Sequence, residues 1–154
     1  MKKPFITKEQ AQEIIKKYPT PFYLYDEKGI RENAERVNDA FGWNKGFKEY
    51  FAVKATPNPA ILKILKQEGC GVDCSSLTEL MMAKRCGFEG GDIMFSSNVT
   101  PKEDYRLARE LGAVINLDDV THIDYLNDLT GIPEIIGCRY NPGGHFELEN
   151  KIMD

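Results

Sequence analysis

The sequence predicts an α/β fold built from repeated strand–helix units. Short apolar, β-prone runs recur along the chain, with their centres roughly twenty residues apart. Amphipathic stretches lie between these runs, and each closes on a glycine, which favours helix termination. This alternation indicates parallel strands joined by crossover helices. The predicted strands are 49-EYFAVK-54, 71-GVDCS-75, 92-DIMFS-96, 113-AVINL-117 and 134-EIIGCRY-140.

Helical spacing of apolar residues predicts the helices. Residues 7–18 begin with the form of a capping box, in which Thr7 and Gln10 satisfy each other's backbone N–H groups. Residues 28–41 form a second predicted helix, and the aromatic-rich segment 21-PFYLYD-26 between the two is strand-like. The crossover helices are predicted at 58–69, 76–87, 101–112 and 118–131.

Polar side chains cluster where the predicted strands end. A doubly wound sheet and a barrel both fit the alternation alone, and both place their sites at this edge. A barrel would gather the ends of five successive strands around one pocket, so we favour a partial (β/α)8 TIM-type barrel of about five βα units, preceded by an N-terminal helix and strand. A closed barrel needs eight units and about 250 residues, so the 154-residue chain is expected to be the front of a longer protein. The clustered residues are Lys54, Asp73, Ser75, Ser96, Ser97, Asn98, Asn116, Arg139 and Asn141.

Composition and charge argue against several classes of protein. The net charge is −4 and no basic stripe is present, which disfavours nucleic-acid binding. No apolar run approaches the ~20 residues that a membrane span requires. The two lysines near the N-terminus precede no apolar segment of the kind found in a secretory signal. We therefore expect a cytoplasmic protein with no membrane or nucleic-acid partner.

The cysteines and histidines predict no metal site. Cys70 and Cys74 are four residues apart rather than a CxxC pair, and the histidines lack zinc-finger spacing. We expect all four cysteines, which include Cys86 and Cys138, to be reduced thiols.

Several individual side chains carry their own expectations. Strand alternation points Cys74 into the core, away from the face that carries Asp73. The Met81–Met82 pair is expected to be core of an outer helix. His122 is expected on the surface, and His145 near the pocket side of the molecule.

Six motifs, in this order and spacing, resemble the pyridoxal-phosphate-dependent group IV decarboxylases, whose barrel is alanine-racemase-like, and most of all the diaminopimelate decarboxylases. The pairing of YFAVKA with GVDCSS about twenty residues later is the specific feature, because either motif alone is weak. The motifs are 20-TPFYLYD-26, 50-YFAVKATPNP-59, 70-CGVDCSSLTEL-80, 91-GDIMFSSNVTP-101, 113-AVINLDD-119 and 137-GCRYNPGG-144.

The resemblance implies the roles of four residues. Lys54 would be catalytic, forming the Schiff base with pyridoxal 5'-phosphate, and Asp73, Glu79 and Arg139 would bind the cofactor. Each residue also has a structural alternative. Asp73 could cap a helix, although Ser75 or Ser76 suits that role better, and Glu79 could complement the helix dipole. Arg139 could form a surface ion pair, and residues 96–98 a plain turn.

The resemblance also implies a domain organisation. Residues 1–26 would supply a helix and a strand that pairs with a C-terminal β domain, and residues 27–154 would be the incomplete cofactor-binding barrel. The implied partners are an amino-acid substrate and further copies of the chain, as a homodimer or a higher assembly.

The implied activity is decarboxylation of an amino acid, with meso-diaminopimelate to L-lysine as the favoured reaction. Ala55-Thr56 stands where many relatives have Ala-Asn, and Leu77 follows the serine pair where glycines are commoner, so other substrates stay open. Alternatives are an ornithine, arginine or carboxynorspermidine decarboxylase, or a non-catalytic relative that binds the cofactor. The chain by itself is expected to be an inactive fragment.

Overall fold

The computed structural model describes residues 4–140, and a five-stranded parallel sheet lies at its centre. The strands pair in chain order, each with its successor along the sequence. They are β1 (Tyr50–Ala52), β2 (Gly71–Cys74), β3 (Ile93–Ser97), β4 (Val114–Leu117) and β5 (Ile136–Cys138).

This strand order decides between the two folds that the sequence left open. A doubly wound sheet reverses its order at a switch point, whereas a barrel wall adds each strand beside the last. Among residues 4–140 the order never reverses. The predicted partial β/α barrel is therefore confirmed, as an open wall of five strands.

Six helices accompany the sheet in the described part of the chain, and their ends obey local rules. Thr7 Oγ1 accepts from Gln10 N at 3.2 Å, while Thr7 N donates to Gln10 Oε1 at 2.8 Å, which confirms the predicted capping box. Asn58 Oδ1 accepts from Ala60 N at 2.9 Å, as an N-cap should. The helices are α1 (Lys8–Lys17), α2 (Glu27–Ala40), α3 (Pro59–Gln67), α4 (Leu77–Arg85), α5 (Lys102–Glu110) and α6 (His122–Thr130).

The core lies between one face of the sheet and helices α3 to α6. Along β2 to β4, alternate residues are buried on this face, and they pack against buried helix residues such as Leu62 and Tyr105. Cys74 is fully buried here, as predicted, and burial raises the pKa of its thiol to about 12. All four cysteines are free. The strand residues buried on this face are Val72, Cys74, Ile93, Phe95, Ser97, Ile115 and Leu117.

The opposite face of the sheet is only half-buried among the described residues. Asp73, Met94, Ser96, Val114 and Asn116 lie on it, in register across β2 to β4. In a complete barrel this face lines the interior.

Residues 21–26 were predicted as a strand, and that prediction is wrong for the described structure. Tyr23 is 90% exposed, and Phe22, Leu24 and Tyr25 are also exposed. A strand requires a hydrogen-bonded neighbour, and within residues 4–140 none lies beside this segment. Aromatic composition alone does not supply that neighbour.

Two further expectations are corrected. His122 is half-buried rather than a surface residue, because its Nδ1 lies 2.9 Å from the hydroxyl of the buried Tyr105. Met81 is 42% exposed, and only Met82 of the predicted core pair packs against the core. Asn141 and His145 lie outside the described residues.

None of the helices found between residues 4 and 140 has the length and apolar character needed to cross a bilayer.

Candidate active site

Lys54 lies just beyond the end of β1 rather than within the strand. The chain leaves Ala52 in a single 3₁₀ turn, Val53–Ala55, which Thr56 N closes by donating to Val53 O at 3.2 Å. Val53 is fully buried and anchors the turn in the core, while Lys54 is exposed. The turn therefore projects the amine from the carboxyl edge of the sheet.

A polar cavity of about 290 Å³ occupies this edge. The end of every strand contributes to it: Lys54 after β1, Asp73 in β2, Ser96 in β3, Asn116 in β4 and Arg139 after β5. The expectation that five strand ends meet at one pocket is thus confirmed. The other lining residues are Ser75, Ser97, Asn98, Val99 and Asp118.

A larger cavity of about 490 Å³ lies between α2, α3 and residues 24–26, and it is mostly apolar. It holds none of the four predicted site residues. The smaller cavity is therefore the better candidate for chemistry, because its ionisable groups converge.

Asp73 is the half-buried acid of the polar cavity. Its neighbours in register are Ala52 and Met94, and its Oδ1 is buried without a hydrogen-bond partner among the described residues. Burial raises the pKa of the Asp73 carboxyl, while the Ser96 hydroxyl and the charge of Lys54 lower that pKa and Glu79 raises it. Asp73 does not cap α4, because Ser76 does so through Glu79 N at 3.4 Å.

Glu79 is not among the residues that line the cavity. Its carboxylate accepts from Ser75 N at 2.8 Å and from Ser75 Oγ at 3.1 Å. It thereby closes the loop that joins β2 to the first turn of α4, where an acid also suits the helix dipole. Glu79 reaches the site through Ser75, and through its charge acting on Asp73.

Arg139 lies at the cavity and also forms the ion pair that the sequence left open as an alternative. It lines the cavity, and its Nη1 lies 2.8 Å from Asp118 Oδ1 in an ion pair. Its backbone N–H donates to Leu117 O at 2.9 Å, which continues the β4–β5 ladder one residue beyond the strand.

Sequence reasoning did not single out Asp118 as a site residue. A usable signal existed, because Asp118 follows β4 directly and so stands at the same edge as Arg139 after β5. The chain bends at residues 98–99, directly after β3, and Thr100 Oγ1 donates to Ser97 O at 3.2 Å. Ser96, Ser97 and Asn98 also line the cavity.

These features are those of a β/α-barrel domain whose polar pocket, at the carboxyl edge, holds an amine and a half-buried carboxylate. Residues 27–148 match the family described as pyridoxal-dependent decarboxylase, pyridoxal binding domain. This match covers most of the chain, which therefore belongs to that family.

Named relatives agree with this assignment. Protein TabA from Pseudomonas amygdali pv. tabaci is 44% identical over 132 residues, and diaminopimelate decarboxylase from Methanothermobacter thermautotrophicus is 34% identical over 141. These alignments cover 86% and 89% of this chain but 30% and 33% of the relatives, so the chain spans about a third of their length. The crystal structure of diaminopimelate decarboxylase from M. jannaschi superposes with a TM-score of 0.73 at 31% identity, covering 77% of this chain and 29% of that one.

The residues present fit the reactive end of a pyridoxal cofactor. A pyridoxal aldehyde requires a lysine amine, which Lys54 offers. Asp73 Oδ1 is a buried acceptor without a partner among the described residues, so it can accept a hydrogen bond from a bound group. Arg139 places a guanidinium in the same cavity.

Proposed function

We propose that this chain is the cofactor-binding portion of a pyridoxal-phosphate-dependent amino-acid decarboxylase, with Lys54 as the residue that holds the cofactor covalently. The supporting observation is the placement of Lys54 at a cavity to which the ends of all five described strands contribute, with the half-buried carboxylate of Asp73 in the same cavity.

When bound, pyridoxal phosphate supplies an electron sink for the pair left on the substrate Cα as CO2 departs. The chain's own residues bind and orient. Lys54 supplies the nucleophilic nitrogen, and the Asp73 carboxylate stabilises positive charge at Lys54 Nζ. Burial of Asp73 Oδ1 strengthens this interaction, because few competing waters reach that oxygen.

Arg139 and Glu79 have supporting roles in this proposal. Arg139 presents positive charge at the far side of the cavity, and its ion pair with Asp118 holds the guanidinium in place. Glu79 acts one step further away, by fixing the backbone N–H and hydroxyl of Ser75. Removing the Glu79 carboxylate would free the loop between Asp73 and α4.

The proposed reaction is conversion of meso-diaminopimelate to L-lysine, which would place the protein in lysine biosynthesis. Support comes from the diaminopimelate decarboxylases at 34% and 31% identity. TabA has the higher identity and its name states no activity, so the substrate requires a direct test.

We further propose that residues 1–26 and 27–154 belong to different domains of the whole protein, and that the active form is a homodimer or higher assembly. Strands β1 and β5 have one neighbour each among the described residues, and unpaired strand edges favour association. The free cysteines fit a reducing, cytoplasmic location. On its own the chain should have little or no decarboxylase activity.

Borohydride trapping tests the assignment of Lys54. The protein is incubated with pyridoxal phosphate, reduced and digested, and the pyridoxyl adduct is located by mass spectrometry. Lys54→Arg removes the nucleophile and keeps the charge, and Lys63→Arg is the matched control on the exposed side of α3. We expect labelling at Lys54 that only Lys54→Arg abolishes. Labelling scattered over other lysines and equal in both variants would refute the assignment.

Substrate choice is tested on the full-length protein. CO2 release from meso-diaminopimelate, L-ornithine, L-arginine and carboxynorspermidine is compared as kcat/KM. We expect the kcat/KM for meso-diaminopimelate to exceed the other values by at least about a hundredfold. A site that hydrogen-bonds a polar group at the far end of its substrate rejects analogues that lack that group. A higher value for any other substrate would replace the favoured reaction.

A further inference from the structure

A line of polar side chains crosses three neighbouring strands on the open face of the sheet, and a glycine on a fourth strand lies at its end. Ser96 and Asn116 are register partners on β3 and β4, and Asn116 is in turn the partner of Gly137 on β5. Asp73 lies on the same face of β2, beside Met94, two residues before Ser96. The line runs from Gly137 at one end to the acid of the candidate active site at the other.

Along this line, one hydrogen-bond donor and one hydrogen-bond acceptor are left without a partner in the described part of the chain. Asn116 Nδ2 donates to Ser96 Oγ at 3.4 Å, so Ser96 accepts in this bond and its own proton is not used there. Asp73 Oδ1 is a buried acceptor without a partner. Ser96 and Asp73 line the same cavity, so the spare donor and the spare acceptor meet in one space.

Gly137 makes room for the start of this line. A Cβ at position 137 would lie 2.8 Å from Asn116 Oδ1 and 3.3 Å from Asn116 Cβ. Any larger residue there would force the Asn116 amide away from its present position. The glycine therefore has a steric reason that is independent of the hydrogen bonds.

We propose that Asn116 and Ser96 are positioning residues, which pass hydrogen bonds across the sheet and hold the Asp73 carboxylate ionised and directed into the cavity toward Lys54. Asn116 orients the Ser96 hydroxyl by donating to its oxygen, and Ser96 then donates its proton to Asp73. The proposal deepens the proposed function, since its consequence is the charge that faces Lys54.

The charges around Asp73 explain why the Ser96 hydroxyl affects its ionisation. Burial opposes ionisation, and Glu79 on α4 adds like charge, whereas Ser96 and Lys54 favour the ionised form. Asp118 and Arg139 face the same cavity but pair with each other at 2.8 Å. Ser96 is thus the neutral group that helps to offset burial, and its loss leaves Lys54 alone in that role.

The test is an NMR titration of the Asp73 side-chain carboxyl carbon, made without cofactor. We expect Ser96→Ala to increase the proton affinity of Asp73 roughly three- to tenfold, since a hydrogen bond to a charged group is lost. Gly137→Ala should change it in the same direction and less. Ser96→Thr keeps the hydroxyl and should restore the native titration.

Ser97→Ala is the matched control, because Ser97 is the next residue, and its hydroxyl bonds to Val99 O instead. Equal titrations of Asp73 in Ser96→Ala and Ser97→Ala would overturn the proposal, as would a Ser96→Thr protein that behaves like Ser96→Ala. Because no cofactor is present, this result stands apart from the trapping experiment. If Lys54 is labelled normally and Ser96→Ala leaves the Asp73 titration unchanged, only the positioning role of Ser96 and Asn116 is refuted. If Lys54 is not labelled and Ser96→Ala shifts the titration, only the proposed function is refuted.

Discussion

The two edges of the sheet differ in how completely their polar groups are paired. At the amino edge, Lys48 pairs with Asp92, and the Tyr50 hydroxyl donates to Gly91 O at 2.5 Å. At the carboxyl edge, Asp73 Oδ1 has no partner, and Lys54 forms no ion pair with any described residue. The strands therefore begin at an edge where Lys48 and Tyr50 have partners, and they end at an edge where the Lys54 amine and one Asp73 oxygen are left for a ligand.

This difference predicts which substitutions affect the stability of the fold and which affect the site. Unpaired buried groups cost stability, so a protein retains them only where they serve another purpose. Substitutions at the amino edge should therefore change the free energy of unfolding, and substitutions at the carboxyl edge should change binding and catalysis.

The largest expected effect comes from replacing Lys54, with Lys48 as the comparison at the opposite edge. In the full-length protein, Lys54→Ala should lower kcat for decarboxylation by at least about a thousandfold, because the nucleophile is lost. Lys48→Ala should change kcat by less than about threefold, since it lies at the opposite edge. Steady-state CO2 release measures both. Comparable losses in the two variants would mean that the edges do not divide the roles.

A matched pair of glycines gives the next effect. A Cβ at Gly71 would lie 2.7 Å from both Asp92 O and the Tyr50 ring, so Gly71→Ala must displace backbone or a packed ring. We expect it to lower the free energy of unfolding by about 1–3 kcal/mol. Gly137→Ala meets mainly the movable end of Asn116, and should cost less than about 1 kcal/mol. Urea denaturation compares them, and a larger loss for Gly137→Ala would reverse the expected order.

The ion pair of Lys48 and Asp92 should contribute modestly. Its side chains are 31% and 38% exposed, so solvent screens the attraction. A double-mutant cycle with Lys48→Met and Asp92→Asn should give a coupling of about 0.5 kcal/mol that declines with added salt. A coupling that does not respond to salt would argue against this screened pair.

The smallest expected effect is a gain in stability at the carboxyl edge. Because burial raises the folded-state pKa of Asp73, the folded protein binds this proton more tightly than the unfolded chain does. Stability should therefore fall as pH rises from the ordinary aspartate pKa of about 3.9 through the raised folded value. Asp73→Asn should remove this pH dependence and raise stability near neutral pH by less than about 0.5 kcal/mol. Denaturation at several pH values measures it, and a variant with an unchanged pH profile would contradict the account.

The elements that the sequence predicted well are those governed by local chemistry. Thr7 and Gln10 mark the start of α1, and Ser76 caps α4. Both caps are predictable because each hydrogen bond joins residues only three positions apart. Gly69 and Gly112 follow α3 and α5 with φ of 83° and 69°, as their lack of a Cβ permits. These signals require no knowledge of distant residues.

The elements that the sequence misplaced depend on distant partners. Residues 21–26 have strand-like composition, but a strand exists only where another strand lies beside it. His122 looks like a surface residue until the fold brings the Tyr105 hydroxyl within 2.9 Å of its Nδ1. The cofactor role of Glu79 stays a prediction, and only the fold reveals that its carboxylate bonds to Ser75.

The amino-acid sequence is enough to predict the repeat of strands and helices, the helix ends, and which residues stand at the carboxyl ends of strands. Period, capping and alternation are local properties, so one chain segment suffices to reveal them. Only the tertiary structure decided that the strands pair in order, that Asp118 pairs with Arg139, and that Ser96 stands between Asn116 and Asp73. Those facts depend on register between strands about twenty residues apart, which the pairing of backbones sets and composition does not.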